Sequence, residues 1–250
     1  MADVLLIRDL ARNSETVFAD DAVSADKGFP AISPSGGQLA YSTRVAGPRA
    51  MRPIYIARLP DGASRLLCED CGGRPRQWLD ERMLLIETFG SRRNTLVLLD
   101  TATGERHELV ASPERSVTNP RVSPNGRWIT FDATRPGGSP DVYIASLGSS
   151  TMIPESDWVA VERSASHPFW SRNGTLLYYL TTTPYLMLRG EVRARHFTPD
   201  LPPDGESIPI VTLGEVVVPA FMNGAAPVAA PDQIVFILGD FRGDVWLRDA

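Results

Sequence analysis

Apolar residues along this chain fall in short runs, broken at close intervals by Gly, Pro, Asn, Asp and Ser, and nowhere do they keep a sustained 3.6-residue period. The pattern predicts strands and almost no helix. Four stretches align around one turn: FPAISPSGGQLAYS at 29 to 42, RPRQWLDERMLLIET at 74 to 88, NPRVSPNGRWITFDA at 119 to 133 and HPFWSRNGTLLYYLT at 167 to 181. VAAPDQIVFILGD at 228 to 240 is a weaker fifth copy. Their turns begin near Ser33, Leu79, Ser123, Ser171 and Ala230, a period of about 44 to 48 residues that stretches at the last step. That is the spacing of propeller blades.

The turns have a mechanism. In Ser33-Pro34-Ser35-Gly36 and Ser123-Pro124-Asn125-Gly126 the proline presets φ early, and Gly or Asn tolerates positive φ later. Downstream lie runs rich in β-branched and aromatic residues, such as Met83-Leu84-Leu85-Ile86, Trp128-Ile129-Thr130-Phe131 and Leu176-Leu177-Tyr178-Tyr179, which predict buried second strands. A third strand is expected at 53 to 57, 95 to 99, 141 to 145 and 244 to 247, and outer strands at 64 to 68 and 106 to 110. Each unit then has four antiparallel strands. Residues 3 to 18 read as a third and fourth strand, while the C-terminus stops after a third. A β-sandwich with similar turns is the competing architecture, and repetition at blade spacing argues against it. The expectation is an all-β propeller over residues 1 to 250, with about five four-stranded blades plus an extra terminal strand pair, closing as a five- or six-bladed ring. Closure should place Glu15 to Phe18 beside Val245 to Leu247 or another free edge, because unpaired edges invite aggregation.

The repeat FPAISPSGGQLAYS, followed by IYIARLPDGASRLL, resembles the TolB-like, WD-like propeller repeat of bacteria. The resemblance covers nearly the whole chain, although the copies at Leu79 and Ala230 depart from the Ser-Pro-x-Gly form. The chain is also similar to propeller regions downstream of bacterial serine/threonine kinase or winged-helix regulator domains, through its CxxC-Gly segment and its Gly-Asp-Val-Trp-Leu strand at 243 to 247. The resemblance implies a periplasmic protein that binds other proteins.

Composition narrows the functions. With 43% hydrophobic residues in 250, the chain can bury a full core, and its net charge of −5 gives no basic footprint for nucleic acid. Its basic residues are arginines except for Lys27. The N-terminal apolar run Val4 to Ile7 is too short to span a bilayer, so neither export signal nor membrane insertion is expected from this chain.

The two cysteines, Cys68 and Cys71, form a CxxC at the end of an outer strand and the start of the crossover to the next blade. A zinc site wants four ligands, and no second CxxC exists; His107, His167 and His196 fall on different units and read as packing or hydrogen-bonding residues. A redox dithiol wants a helix N-terminus, whereas Glu69 and Asp70 would raise the thiol pKa. The pair is expected to be a turn, one that an oxidising compartment would close as a disulfide. No metal or other cofactor is expected.

Enzyme signatures are missing from the sequence: no Gly-x-Ser-x-Gly elbow, Walker motif, HExxH or EF-hand loop. Asp20-Asp21 and Glu69-Asp70 read as solvated rim charges, and no catalytic residue is named. One charge pattern stands out. The loops joining second to third strands carry Arg44, Arg49, Arg52, Arg92, Arg93, Arg135 and Arg242. In a propeller these loops share one face, and guanidinium forks there would pair with carboxylates of an acidic protein or peptide, although arginines also merely keep loops soluble. The expected function is a non-catalytic, monomeric interaction or sensing module. Two alternatives stand beside it: the propeller of a hydrolase or lyase, and a structural spacer in an envelope assembly. A polar cluster with strongly shifted ionisable groups in the central channel would favour the enzyme part.

Overall fold

The computed structural model describes residues 5–9, 12–18, 26–44, 52–59, 62–90, 92–148, 152–182, 190–198, 205–212, 228–230 and 233–235. Its strands are β1 (Leu5–Asp9), β2 (Ser14–Phe18), β3 (Asp26–Ile32), β4 (Gln38–Arg44), β5 (Ile54–Arg58), β6 (Arg65–Cys68), β7 (Gly73–Trp78), β8 (Met83–Phe89), β9 (Asn94–Asp100) and β10 (Arg106–Val110). They continue as β11 (Ser116–Val122), β12 (Trp128–Thr134), β13 (Asp141–Ser146), β14 (Val159–Glu162), β15 (Ala165–Trp170), β16 (Leu176–Thr182), β17 (Gly190–His196), β18 (Ile208–Thr212), β19 (Val228–Ala230) and β20 (Gln233–Val235). Helix among the described residues is one 3-10 turn at Glu155–Asp157.

Four sheets are four-stranded antiparallel meanders in chain order: β3 to β6, β7 to β10, β11 to β14 and β15 to β18. β1 with β2 and β19 with β20 form two-stranded sheets. The first strands of successive sheets, β3, β7, β11, β15 and β19, lie against one another, so they surround the axis and the fourth strands face outward. The fold is a β-propeller. The expected third strand at 244 to 247 and the closure beside it lie outside the described residues.

The apolar runs follow from this stacking. A middle strand is covered on both faces by neighbouring sheets, so consecutive residues can all be buried. Leu84 and Ile86 pack with Ala31, Ile54, Ile56 and Trp78 of the first interface, while Leu85 packs with Val117, Ile129 and Phe131 of the next. Val142, Ile144, Trp170, Leu177 and Tyr179 fill the third interface. Indole donors tie the inner strands together: Trp78 Nε1 donates to the Ala31 carbonyl at 3.0 Å, and Trp170 Nε1 to that of Arg121 at 3.4 Å.

The repeated turn is one structure with two chemistries. The hydroxyls of Ser33, Ser123 and Ser171 accept from the backbone N–H five residues on, at 3.2, 3.0 and 2.9 Å, and the turn glycines at 36, 126 and 174 have φ of 76°, 72° and 72°. In the divergent copy at Leu79, Asp80 takes over, its Oδ1 accepting from the N–H groups of Arg82 and Met83, each at 2.7 Å.

Candidate functional site

Every complete inner strand carries a residue-proline pair, Phe29-Pro30, Arg74-Pro75, Asn119-Pro120 or His167-Pro168, at a break in its pairing with the second strand. Phe29, Asn119 and His167 adopt left-handed φ of 56°, 51° and 54°. This is an unfavourable conformation for side chains with a Cβ, and it turns each bulge N–H away from its own sheet. Two of these N–H groups find carboxylates on the preceding blade: that of Asn119 donates to Glu87 Oε2 at 3.1 Å, and that of His167 to Asp132 Oδ1 at 3.0 Å.

Around these links lies a buried ionic cluster near the axis. Glu87, fully buried, accepts from Arg74 Nη2 at 2.9 Å and lies 3.3 Å from Arg76 Nε. Arg76 Nη2 donates to Asn119 Oδ1 at 2.8 Å, and Asn119 Nδ2 donates to Asp132 Oδ2 at 2.7 Å. Arg121, on β11, donates from Nη1 to the Pro120 carbonyl at 2.8 Å. Desolvation dominates the titration of the cluster. It pushes Asp132 up to about 7 against its hydrogen bonds, and holds His167 at about 3, with the arginines adding repulsion. Burial first, then mutual repulsion, lowers Arg121 to about 9; burial lowers Arg76 to about 10 although Glu87 opposes it. Arg121 keeps some solvent contact while atoms crowd it closely, as suits a side chain beside a narrow channel.

Toward the rim that carries the second-to-third-strand loops, the cluster continues as an aromatic clamp. The guanidinium carbons of Arg52 and Arg74 both lie over the rings of Phe29 and Phe89, at centroid distances of 5.0 to 5.4 Å. The structure thus brings Arg52, one of the expected rim arginines, to the channel mouth. The others are dispersed. Arg92 is exposed, Arg93 Nε donates to the Pro113 carbonyl at 2.6 Å, and Arg135 lies 3.6 Å from Glu114, so the last two join their loops to the crossover into the third blade. The Arg44 side chain, Arg49 and Arg242 lie outside the described residues. Next to Arg135 the rim holds a cleft of about 440 Å³ lined by Arg115, Asp141, Tyr143 and Arg163. Arg115 is neutralised there by Glu155 at 3.0 Å.

Cys68 and Cys71 are joined as a disulfide with Cα atoms 5.5 Å apart. Cys71 is buried among Ala31, Ile54 and Trp78, which ties the crossover into the core. The sequence points to none of Arg74, Arg76, Arg121, Glu87 and Asp132; His167, expected to pack or to hydrogen-bond, donates its N–H to Asp132 and meets Ser166 Oγ through Nδ1 at 2.9 Å. A signal was present in two of the four copies: the residue before the inner-strand proline and the one thirteen positions on form a pair, Arg74 with Glu87 and Asn119 with Asp132.

No family model matches the chain. Among solved structures, it is similar to a TolB protein from Agrobacterium tumefaciens, with 20% identity and a TM-score of 0.63 over 84% of this chain and 74% of that one. The fold is a TolB-like β-propeller. TolB from Acinetobacter baumannii superposes with a TM-score of 0.57 at 16% identity, covering 83% of this chain and 48% of its own, so the propeller spans about half that protein's length. The β-propeller domain of the trilobed protease from Pyrococcus furiosus, described as having an open velcro topology, gives 0.59 at 16% identity over 95% of this chain and 69% of its own. The same architecture therefore occurs in TolB proteins and in a protease.

Proposed function

We propose that the protein is a non-catalytic propeller that binds an acidic protein or peptide at the rim carrying Arg52, Arg92, Arg93 and Arg135. The observation that carries this reading is the clamp of Arg52 and Arg74 between Phe29 and Phe89. The rings hold the Arg52 guanidinium in a fixed orientation beside Arg74, itself paired with Glu87, so the entropy of ordering the mouth is spent on folding and not on binding. The likeness to TolB structures supports the interaction role. An oxidising, periplasm-like compartment agrees with the Cys68–Cys71 disulfide.

The second reading, the propeller of a hydrolase or lyase, draws support from the protease neighbour and from the shifted groups around Asp132 and His167. Hydrogen bonding weighs against acid–base chemistry at this cluster. Both oxygens of Glu87 and both of Asp132 already accept, one from its own blade and one from the next, so neither carboxylate is aimed at a substrate.

The test is affinity capture from a native lysate with the wild type beside an Arg52→Glu, Arg92→Glu, Arg93→Glu variant. A specific acidic partner held by the wild type, released by salt and lost from the variant, is the expected result. Equal capture by both, or hydrolysis of peptide substrates by the purified wild type, would sink the proposal.

A further inference from the structure

We propose that Arg76 and Arg121 form an oxyanion site on the propeller axis that takes one carboxylate group. This deepens the preceding reading, since a ligand's carboxylate would reach the pair from the arginine-bearing rim. Three guanidinium groups, Arg74, Arg76 and Arg121, share two carboxylates, Glu87 and Asp132. Those carboxylates have little left to offer. Glu87 takes Arg74, Arg76 and the Asn119 N–H, while Asp132 takes the Asn119 amide and the His167 N–H.

Arg121 is left short of acceptors. The one hydrogen bond its guanidinium makes among the described residues goes to the carbonyl of its own neighbour, Pro120, and no described carboxylate lies within ion-pairing range of it. A guanidinium has five N–H donors in a planar fork. Arg121 is partly accessible to solvent and its unused nitrogens are not among the sealed, unpartnered atoms of the core, whereas the Nε of Arg76 is sealed without a hydrogen-bond partner, so the pair opens on the Arg121 side. Arg76, on the adjacent inner strand, adds a second positive charge whose repulsion helps depress Arg121. The bulge of β11 is fixed to the preceding blade through the Asn119 N–H and Glu87, and Arg76 donates to Asn119 Oδ1 across the same interface, so both members of the pair are held in place. A carboxylate between the forks would neutralise the excess and supply the missing acceptors. Tethering it to a peptide or leaving it on a small acid changes the source and not the chemistry.

Thermal unfolding and calorimetry at constant ionic strength would test the site with four probes: sodium succinate, sodium phosphate, a capped tripeptide with a central Glu, and its Gln analogue. Succinate and the Glu peptide should bind saturably and raise the melting temperature, and the Gln peptide should do neither. Phosphate binding beside succinate would point to free anions as the natural source, and preference for the Glu peptide to a protein. Arg121→Met should weaken binding about tenfold to a hundredfold, the range expected for one charge-assisted contact. Without ligand it should fold with a melting temperature no lower than the wild type, because it removes a desolvated charge. Arg163→Met, at the rim cleft, should bind as the wild type does. As a check free of mutation, the Nε–Hε resonances of Arg76 and Arg121 should move on succinate titration. No response to any oxyanion, an equal response to sodium chloride, or unchanged affinity in Arg121→Met would overturn the site. A variant carrying only Arg92→Glu and Arg93→Glu, away from the channel mouth, should keep its succinate response whether or not it holds the protein partner, which separates failure of this site from failure of the interaction reading.

Discussion

The backbone N–H of Asn119, turned out of its own sheet by a left-handed φ of 51°, donates to the carboxylate of Glu87 on the preceding blade at 3.1 Å. His167 repeats the relation with Asp132 one blade later, at 3.0 Å with φ of 54°. Glu87 also holds Arg74 and Arg76, so the first of these links joins blade to blade and positions part of the charge of the site.

Removing Glu87 should therefore be costly. Glu87→Ala leaves Arg74 and Arg76 without their common partner in a buried setting and strips the Asn119 N–H of its acceptor. Breaking one side of a buried ion pair typically costs about 3–5 kcal/mol. Urea unfolding should show a loss of that order, with Glu87→Gln less affected because its amide oxygen can still accept from Asn119. A loss below about 1 kcal/mol, the range of exposed pairs, would show that the link is not structural.

Asp132 and His167 predict a pH dependence with two opposing parts. Asp132 has a folded pKa raised from 3.8 to about 7, so its stabilising contribution is complete below about 4 and is lost as pH rises toward 7. His167 has a folded pKa lowered from 6.5 to about 3, so its contribution is complete above 6.5 and is lost as pH falls toward 3. Their windows overlap and their slopes have opposite sign. The contribution of this pair to wild-type stability should be nearly flat between about pH 4 and 6.5. Relative to wild type, Asp132→Asn should become more stable as pH rises through that window, and His167→Asn less stable. Parallel pH–stability curves for the two variants would refute the assignment.

The fold was largely legible because blade stacking makes the second strands apolar on both faces, as in Leu84-Leu85-Ile86, and because the Ser-x-x-Gly turn repeats. Outer elements were harder to read. β17 reads Gly-Glu-Val-Arg-Ala-Arg-His and buries only Val192 and Ala194 fully, so its outward face carries the charges of a loop. The central site was missed for a related reason. Arg74 and Arg121 look like solvated charges in a linear sequence, and only the convergence of the inner strands shows that they are crowded together. The rim arginines were visible as a pattern, but their pairing with Glu114 and the Pro113 carbonyl depends on which crossover passes beneath them.

The two cysteines should differ when replaced singly under reducing conditions. Cys68 is partly exposed on β6, whereas Cys71 is 4% exposed within the core of the first interface. Loss of the cross-link itself removes little chain entropy from so short a loop, on the order of 2 kcal/mol at most. Cys71→Ser adds the penalty of a hydroxyl in an apolar site, roughly 1–3 kcal/mol, and Cys68→Ser does not. Melting temperatures in excess reductant should rank Cys71→Ser below Cys68→Ser, with Cys71→Ala between them. Equal values for the two serine variants would show that Cys71 is not packed as described.

The N-terminal hairpin should be a working part of the first blade's cover. Phe18 on β2 is 6% exposed and meets Tyr41 edge to face with ring centroids 5.9 Å apart; Leu39 and Ala57 complete the buried cluster, and Leu5 and Ile7 of β1 pack against it. The first blade needs this cover because Leu39 and Tyr41 are fully apolar or aromatic at its outward-facing surface, away from the second blade. Phe18→Ala should cost about 3–5 kcal/mol if the hairpin is docked throughout the folded population, since a buried ring is exchanged for a cavity. Deleting residues 1 to 20 should lower the melting temperature at least as much and expose an apolar surface that binds a hydrophobic dye. If Phe18→Ala melts as the wild type does, the hairpin is frayed in solution. The face of β4 must then be covered by another part of the chain or by a partner.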